Sequence, residues 1–270
     1  METPRPEIAG KLTYPGGASV AATPGRQTRS RSGVPHDIQA VFLDIGGVML
    51  VPDVRVLSDE FADADLQLTQ DDFWRAHYFG VAALDEFGVK PGAWAEGYVE
   101  GVLDGLCVTG QRRDRLRSVL MGARRMSDAK LWRWPVPGSF EALGELSDRR
   151  QLAGPAVKLA FVSNSDGSAE QKLVSMRLSQ VGPGDGVEVD AILDSAVVGV
   201  AKPDPAIFEM AAAALGVDGS RSVFVGDSRF YDVDGARGAG LIPLHFDPFA
   251  LCDRDDHGHL AGLANLLDMV

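Results

Sequence analysis

The chain has 270 residues, of which 45% are hydrophobic and 24% charged, the balance of a soluble protein with one large domain or a core plus a small companion. Its 38 acidic against 26 basic side chains give a net charge of -12, a field that repels nucleic acid and anionic membranes, so neither is expected as a partner. Cys107 and Cys252 stand in no CxxC pattern and no apolar run approaches the ~18 residues of a membrane span, so the expectations are reduced thiols, no zinc cluster and a cytoplasmic location.

Residues 1–36 are rich in Pro, Gly, Ser, Thr and Arg and lack any hydrophobic period, which predicts a disordered tail. Ala40 to Asp44 is a short apolar run closed by an acid and by Gly46-Gly47, the pattern of a strand buried on both faces with Asp44 at its carboxyl end. From Pro52 to Trp132 the texture changes. No strand-like run appears, and Leu57, Phe61, Leu68, Phe73, Trp74, Val81, Leu84, Tyr98 and Val102 recur at mostly helical spacings, which predicts an inserted helical cap over the cleft. Ser139 opens a helix carrying Phe140, Leu143 and Leu146, and Leu159 to Ser163 repeats the strand grammar. Ile207, Met210, Ala211, Ala214 and Leu215 form a helical stripe with Asp204 as N-cap, Pro205 at the first position and Gly216 at the stop. Ser222 to Asp227 is a further strand, and the late cluster 255-DDHGH-259 reads as solvated surface. Strands alternating with helices predict an α/β fold, a doubly wound parallel sheet over 37–51 and 133–270 with the cap at 52–132. Ligands of such sheets bind beyond the carboxyl strand ends, where Asp44, Ser163 and Asp227 all fall.

Four stretches then speak together: Asp44-Ile45-Gly46-Gly47-Val48, Ser163-Asn164, Lys202-Pro203-Asp204-Pro205 and Gly226-Asp227-Ser228 with Asp232. In this order and combination the chain resembles the haloacid dehalogenase superfamily, in the branch whose helical cap follows the first strand. The resemblance implies a hydrolase, foremost a phosphatase of small phosphorylated metabolites. Asp44 would be the nucleophile that forms an aspartyl-phosphate. It further implies Mg²⁺ held by Asp44, Asp227 and the Gly46 carbonyl, with Asp232 outside that shell. Ser163 would bind the transferring phosphoryl group, with backbone donors near Gly47 and Asn164, and Lys202 would neutralise charge and orient Asp44.

Gly46 departs from the pattern. A second Asp commonly stands there as general acid and base, and glycine has no side chain for that work, a loss of about 10² to 10⁴ in rate. His77, Asp53 and Tyr78 of the cap are candidate substitutes, and Gly46→Asp is expected to raise turnover if it restores an acid in the right place. Trp74, His77, Tyr78 and Trp94 are candidates for the cavity entrance, although aromatics at helical spacing more often serve a core. Two other readings stay open. One is cleavage of a bond whose leaving group needs no proton, such as carbon–halogen, or carbon–phosphorus with Lys90 or Lys130 as an imine former. The other is a fold that binds a phosphorylated ligand or protein after losing catalysis.

Overall fold

Continuous apolar runs bounded by turn residues become strands whose two faces are both covered. A computed structural model of the chain describes residues 34–35, 37–63, 67–87, 97–123, 126–152 and 157–269. The expected tail therefore lies outside the described residues except at its last few positions, and so does Trp94. β1 (Ala40–Leu43) leads through a tight turn into β2 (Leu50–Pro52). Helices α1 (Ser58–Asp63), α2 (Gln70–Phe87), α3 (Val99–Gly105), α4 (Gly110–Ala123) and α5 (Asp128–Leu131) follow, and the chain returns in β3 (Trp132–Pro135). Next come α6 (Ser139–Leu152), β4 (Lys158–Ser163), α7 (Ala169–Ser175), β5 (Ser179–Val181), β6 (Val187–Val189) and β7 (Ala191–Asp194). The last part holds α8 (Ser195–Val198), α9 (Pro205–Leu215), β8 (Ser222–Gly226), α10 (Gly235–Gly238), β9 (Ile242–Phe246) and β10 (Gly258–Leu260).

Six strands form one sheet in the order β10-β9-β8-β1-β4-β7, every neighbour parallel. This is the doubly wound α/β architecture. β1 lies inside it, fully buried, with Leu43 in register with Phe161 of β4 and Val225 of β8. Asp44, Ser163 and Asp227 therefore issue from three adjacent strand ends on one edge of the sheet.

In α9 the signals for start and stop hold: the Asp204 carboxylate accepts from the Ala206 amide, and Gly216 takes the left-handed φ of 66°. The buried stripe is rotated from the expected one. Ile207, Phe208, Ala211 and Ala212 face the sheet, whereas Met210 is 39% exposed. Phe208 decides the rotation, because its ring meets Phe224 edge-on at 4.9 Å and burying a phenyl contributes about 1.5–3 kcal/mol.

The expected absence of strand between Pro52 and Trp132 needs one correction at its margins. Both residues belong to an antiparallel two-stranded ribbon of β2 and β3, with Pro52 opposite Trp132. Strands of three and four residues are too short for periodicity to reveal. Within the helical segment, Leu57, Phe61, Phe73, Val81, Leu84, Tyr98 and Val102 share an apolar cluster separate from those of the sheet. Trp74 and Tyr78 turn the other way: Trp74 packs edge-on against Phe249 at 4.9 Å, and Tyr78 lies 5.5 Å from the same ring. Among the described residues no helix is long and apolar enough to cross a membrane.

Candidate active site

Asp44 is fixed at the end of β1 by its own backbone. Its amide donates to the Val225 carbonyl at 2.9 Å, and its Oδ1 accepts from the Ile45 amide at 2.7 Å. The other carboxylate oxygen, Oδ2, lies 2.9 Å from Lys202 Nζ, which also donates to Asp232 Oδ1 at 2.7 Å. Lys202 is held from behind by Asn164, whose Oδ1 accepts from the Lys202 amide at 2.8 Å and whose Nδ2 donates to the Lys202 carbonyl at 2.9 Å. The Asn164 side chain is thus committed to the backbone of the residue after β7 and α8. Asp232 accepts at Oδ2 from the Ser228 amide at 3.0 Å. Ser163 closes β4, buried, and lines the same cavity as Asp44.

Two glycines are required by space. At Gly47, with φ +68°, a side chain would be strained and its Cβ would run into the Asp227 carboxylate. At Gly226 a Cβ would overlap the Asp232 side chain. Gly46 differs: a Cβ there would stand 3.3 Å from Trp132 Cζ3, a tight contact that the indole of β3 relieves only by shifting a few tenths of an ångström.

Asp44, Asp227 and Asp232 each place a carboxylate oxygen within 4.8 Å of the others, and all three are at most 8% exposed. Burial, with the Asp44 charge adding to it, pushes Asp227 well above the usual carboxylate range. Burial likewise raises Asp232 against the opposing pull of Lys202. Desolvation would lower the Lys202 ammonium, but Asp232 and Asp44 outweigh it and hold it protonated. Three buried carboxylates outnumber Lys202 and the nearby Lys172, an excess of negative charge that a cation relieves, and hard oxygen donors suit Mg²⁺. The residues present fit that ion.

The helical segment reaches into the site. His77 of α2 lies 3.1 Å through Nε2 from Asp227 Oδ2 and 2.8 Å through Nδ1 from the Tyr98 hydroxyl. With Asp227 ionised, this assigns Tyr98 O–H as donor to Nδ1 and Nε2–H as donor to the carboxylate. Burial lowers His77 to about 3, so the ring is neutral. The Tyr78 hydroxyl donates to the Gly47 carbonyl at 2.6 Å, and Asp85 accepts from Ser228 Oγ at 2.7 Å and from the Arg229 and Phe230 amides at 2.6 and 3.0 Å.

Of the expected site residues, the structure brings Asp44, Gly46, Ser163, Asn164, Lys202, Asp227 and Asp232 around one cavity of about 480 Å³, with Gly47 beneath Asp227. Among the candidate acids only His77 lines it. The Tyr78 hydroxyl is spent on Gly47, and Asp53 caps the turn after β2, paired with Arg55 at 2.6 Å. Tyr98, Lys172, Asp128 and Trp132 also line the cavity and carry no motif. Lys172 of α7 is 5% exposed, and burial lowers its ammonium despite Asp128 and Asp166 nearby. A lysine in an amphipathic helix gives no sequence signal of this kind. In the 255–259 cluster Asp255 and Asp256 are exposed as expected, but the His257 side chain is buried rather than solvated and stands beside His245 and Cys252.

Known proteins resemble this chain in sequence and in fold. A relative, the phosphoserine phosphatase of Thermus thermophilus, is 34% identical over 115 residues, 43% of this chain and 42% of that enzyme, so less than half of either length is matched. A dehalogenase solved with an intermediate complex superposes with a TM-score of 0.51 at 18% identity, covering 88% of this chain and 99% of that one. A magnesium-bound hydrolase of the haloacid dehalogenase type from Bacillus subtilis gives 0.50 at 17% identity, covering 86% and 98%. At such identities these structures speak for the fold. The family model of haloacid dehalogenase-like hydrolases matches residues 38–240, most of the chain, and with the parallel sheet and its acidic edge this protein belongs to that family.

Proposed function

We propose that this hydrolase is a Mg²⁺-dependent phosphatase of a small phosphorylated metabolite, with Asp44 as nucleophile. The observation that carries the reading is the Lys202 ammonium at 2.9 Å from Asp44 Oδ2, with Asp227 facing the same cavity. A phosphate monoester repels a carboxylate until its charge is neutralised and the reactants are held in line. Asp44 attacks phosphorus, the ester P–O bond breaks, the alcohol oxygen leaves with the electron pair, and water then cleaves the aspartyl-phosphate. Lys202 stabilises charge on the phosphoryl oxygens, and the Ser163 hydroxyl donates to one of them. Asp44, Asp227 and the Gly46 carbonyl would hold Mg²⁺, which would supply further neutralisation of charge there. Asn164 acts by fixing the Lys202 backbone, and Asp232 by holding its ammonium. Residues 52–132 act as a cap that encloses the cavity and favours small substrates over protein phosphosites. The similarity to a phosphoserine phosphatase and to a magnesium-bound relative supports this reading.

The test is phosphate release from a panel of small phosphate esters with Mg²⁺ and with a chelator. Release with Mg²⁺, lost in the chelator and in Asp44→Asn, is expected; no release from any ester sinks the proposal. One observation favours a second reading. Gly46 offers no side chain as a proton donor, and the Trp132 ring stands 3.3 Å from where its Cβ would lie, which suits a leaving group that needs none. Halide release from a 2-haloacid without any divalent ion is the outcome that would select it.

A further inference from the structure

The parallel edge of the sheet carries a second set of metal-ligand residues. His245 ends β9, His259 lies in β10 directly in register with it, His257 precedes β10 and Cys252 sits in the loop between the strands. Each of the four places one donor atom within 4.8 Å of the others. The pattern H-x6-C-x4-H-x-H is spread over a loop, so the sequence shows it only when the fold closes it.

Hydrogen bonding fixes how these rings face. His245 Nε2 lies 2.9 Å from the Asp227 carbonyl and His259 Nε2 lies 2.9 Å from the Arg254 carbonyl. A carbonyl only accepts, so both nitrogens carry the proton. His257 Nδ1 lies 2.7 Å from Asp256 Oδ1, which makes it a donor too. The remaining nitrogens of His245 and His257 are then lone pairs, while His259 Nδ1 lies 3.5 Å from Asp247 Oδ2. His245 Nδ1 and His257 Nε2 point at each other at 3.3 Å, and Cys252 Sγ lies 3.8 Å from His257 Nε2. Two facing lone pairs repel; a cation between them turns the clash into two bonds. Zinc bonds of ~2.05 Å to nitrogen and ~2.3 Å to sulfur at a tetrahedral angle require about 3.3 Å between nitrogens and about 3.6 Å from nitrogen to sulfur. The 3.3 Å between His245 Nδ1 and His257 Nε2 and the 3.8 Å from Cys252 Sγ to His257 Nε2 are nearly those, and His259 places a donor within 4.8 Å of the others. Outer oxygen acceptors on each imidazole are the arrangement that orients metal-bound histidines.

We propose that His245, Cys252, His257 and His259 form a closed, four-coordinate site for a zinc-class divalent ion, separate from the carboxylate site. One thiolate and three imidazoles are borderline-soft donors that select zinc or cobalt over magnesium. Binding transfers the Cys252 thiol proton to solvent and forms the sulfur–metal bond. The ion ties β10 to β9, and through the His245 N–H it steadies the turn that carries Asp227.

The test uses the full chain, stripped by a chelator and titrated with Zn²⁺ and with Co²⁺ in excess Mg²⁺. Expected are one tightly bound equivalent, a rise in melting temperature, and a cobalt spectrum with intense tetrahedral bands and sulfur-to-cobalt charge transfer. Asp44→Asn keeps all three. Cys252→Ser loses the charge-transfer band, and Asp256→Ala, an exposed position whose loss leaves the core intact, weakens binding about 10- to 100-fold. A weak, octahedral cobalt spectrum in the unmodified protein, or zinc stoichiometry and affinity unchanged in Asp256→Ala and Cys252→Ser together, overturns the proposal.

Discussion

Gly46 and Gly47 are neighbours with opposite constraints. At Gly47 the side chain is forbidden by backbone and by Asp227, so Gly47→Ala combines left-handed strain of about 1–3 kcal/mol with a displaced carboxylate. Its urea midpoint falls and its activity is lost; a variant of unchanged stability and turnover refutes the placement of Asp227. At Gly46 the obstacle is a ring. Gly46→Asp brings a Cβ to 3.3 Å from the Trp132 ring, which must give by a few tenths of an ångström, so a crowded carboxyl and no gain in turnover are expected; a rise in phosphate release would show that the acid reaches its place. Without an acid at this position the leaving oxygen departs largely unprotonated. The rate therefore falls steeply as the leaving group becomes more basic, and aryl or acyl phosphates outpace alkyl phosphates by about 10² or more. Equal rates across such a series would show that another group, with His77 nearest, protonates the leaving oxygen. Asp44, Lys202, Asp227 and Asp232 were legible as one cluster because each stands in a fixed local motif. Trp132 and His77 were not, because their approach to the sheet edge depends on how β3 and α2 pack.

Helix α2 is the element that joins the helical segment to the sheet edge. Its Asp85 satisfies three donors of the turn after Asp227, and removal leaves them without their acceptor, at about 1–3 kcal/mol for a buried group and less for a half-buried one. Asp85→Ala is expected to lower stability within that range and to lower the affinity for magnesium, measured by calorimetry; retained stability would show that water replaces the carboxylate. A second tie lies between α3 and α4. Glu100 bonds Arg117 Nε at 2.5 Å and Arg113 at 2.7 Å, and Arg117 first, then Arg113, hold its carboxyl down at about 2 from 4.5. A lowered carboxylate stabilises the folded state above the unfolded pKa and ceases to do so as pH falls through the folded one. The contribution is present above about pH 4.5, disappears toward pH 2, and is modest because the side chain is one-third exposed. Glu100→Gln flattens the acid limb of stability over that window in a pH series of thermal melts, and an unaltered limb would assign it to other groups. The caps of α9 could be read residue by residue, since they are local. Its rotation about Phe208 could not, because Phe224 is supplied by another strand.

For the molecule as a whole, the decisive term is buried negative charge at one edge of the sheet. Removing one carboxylate relieves repulsion in the metal-free protein and also removes a proposed magnesium ligand. Asp227→Asn is therefore expected to raise the melting temperature in chelator and to abolish the increment expected from magnesium in the unmodified chain. That increment is worth about 2.7 kcal/mol at a hundredfold excess over the dissociation constant. A magnesium response surviving in Asp227→Asn would exclude this residue as a ligand. The parallel α/β class was legible from alternation of apolar runs and helical stripes. Order within the sheet, the lysine of α7 in the cavity and the gathering of His245, Cys252 and His257 were not, because they join positions distant in the chain through closure of the sheet.

The β2–β3 ribbon has one more consequence. Pro52 and Trp132 stand opposite each other where the chain departs and comes back, so a bridge of a few residues between them would spare the intervening stretch without stretching the backbone. Helical inserts of other shapes can be spliced at the same two points, and substrate range can diverge while the acidic edge of the sheet stays as it is.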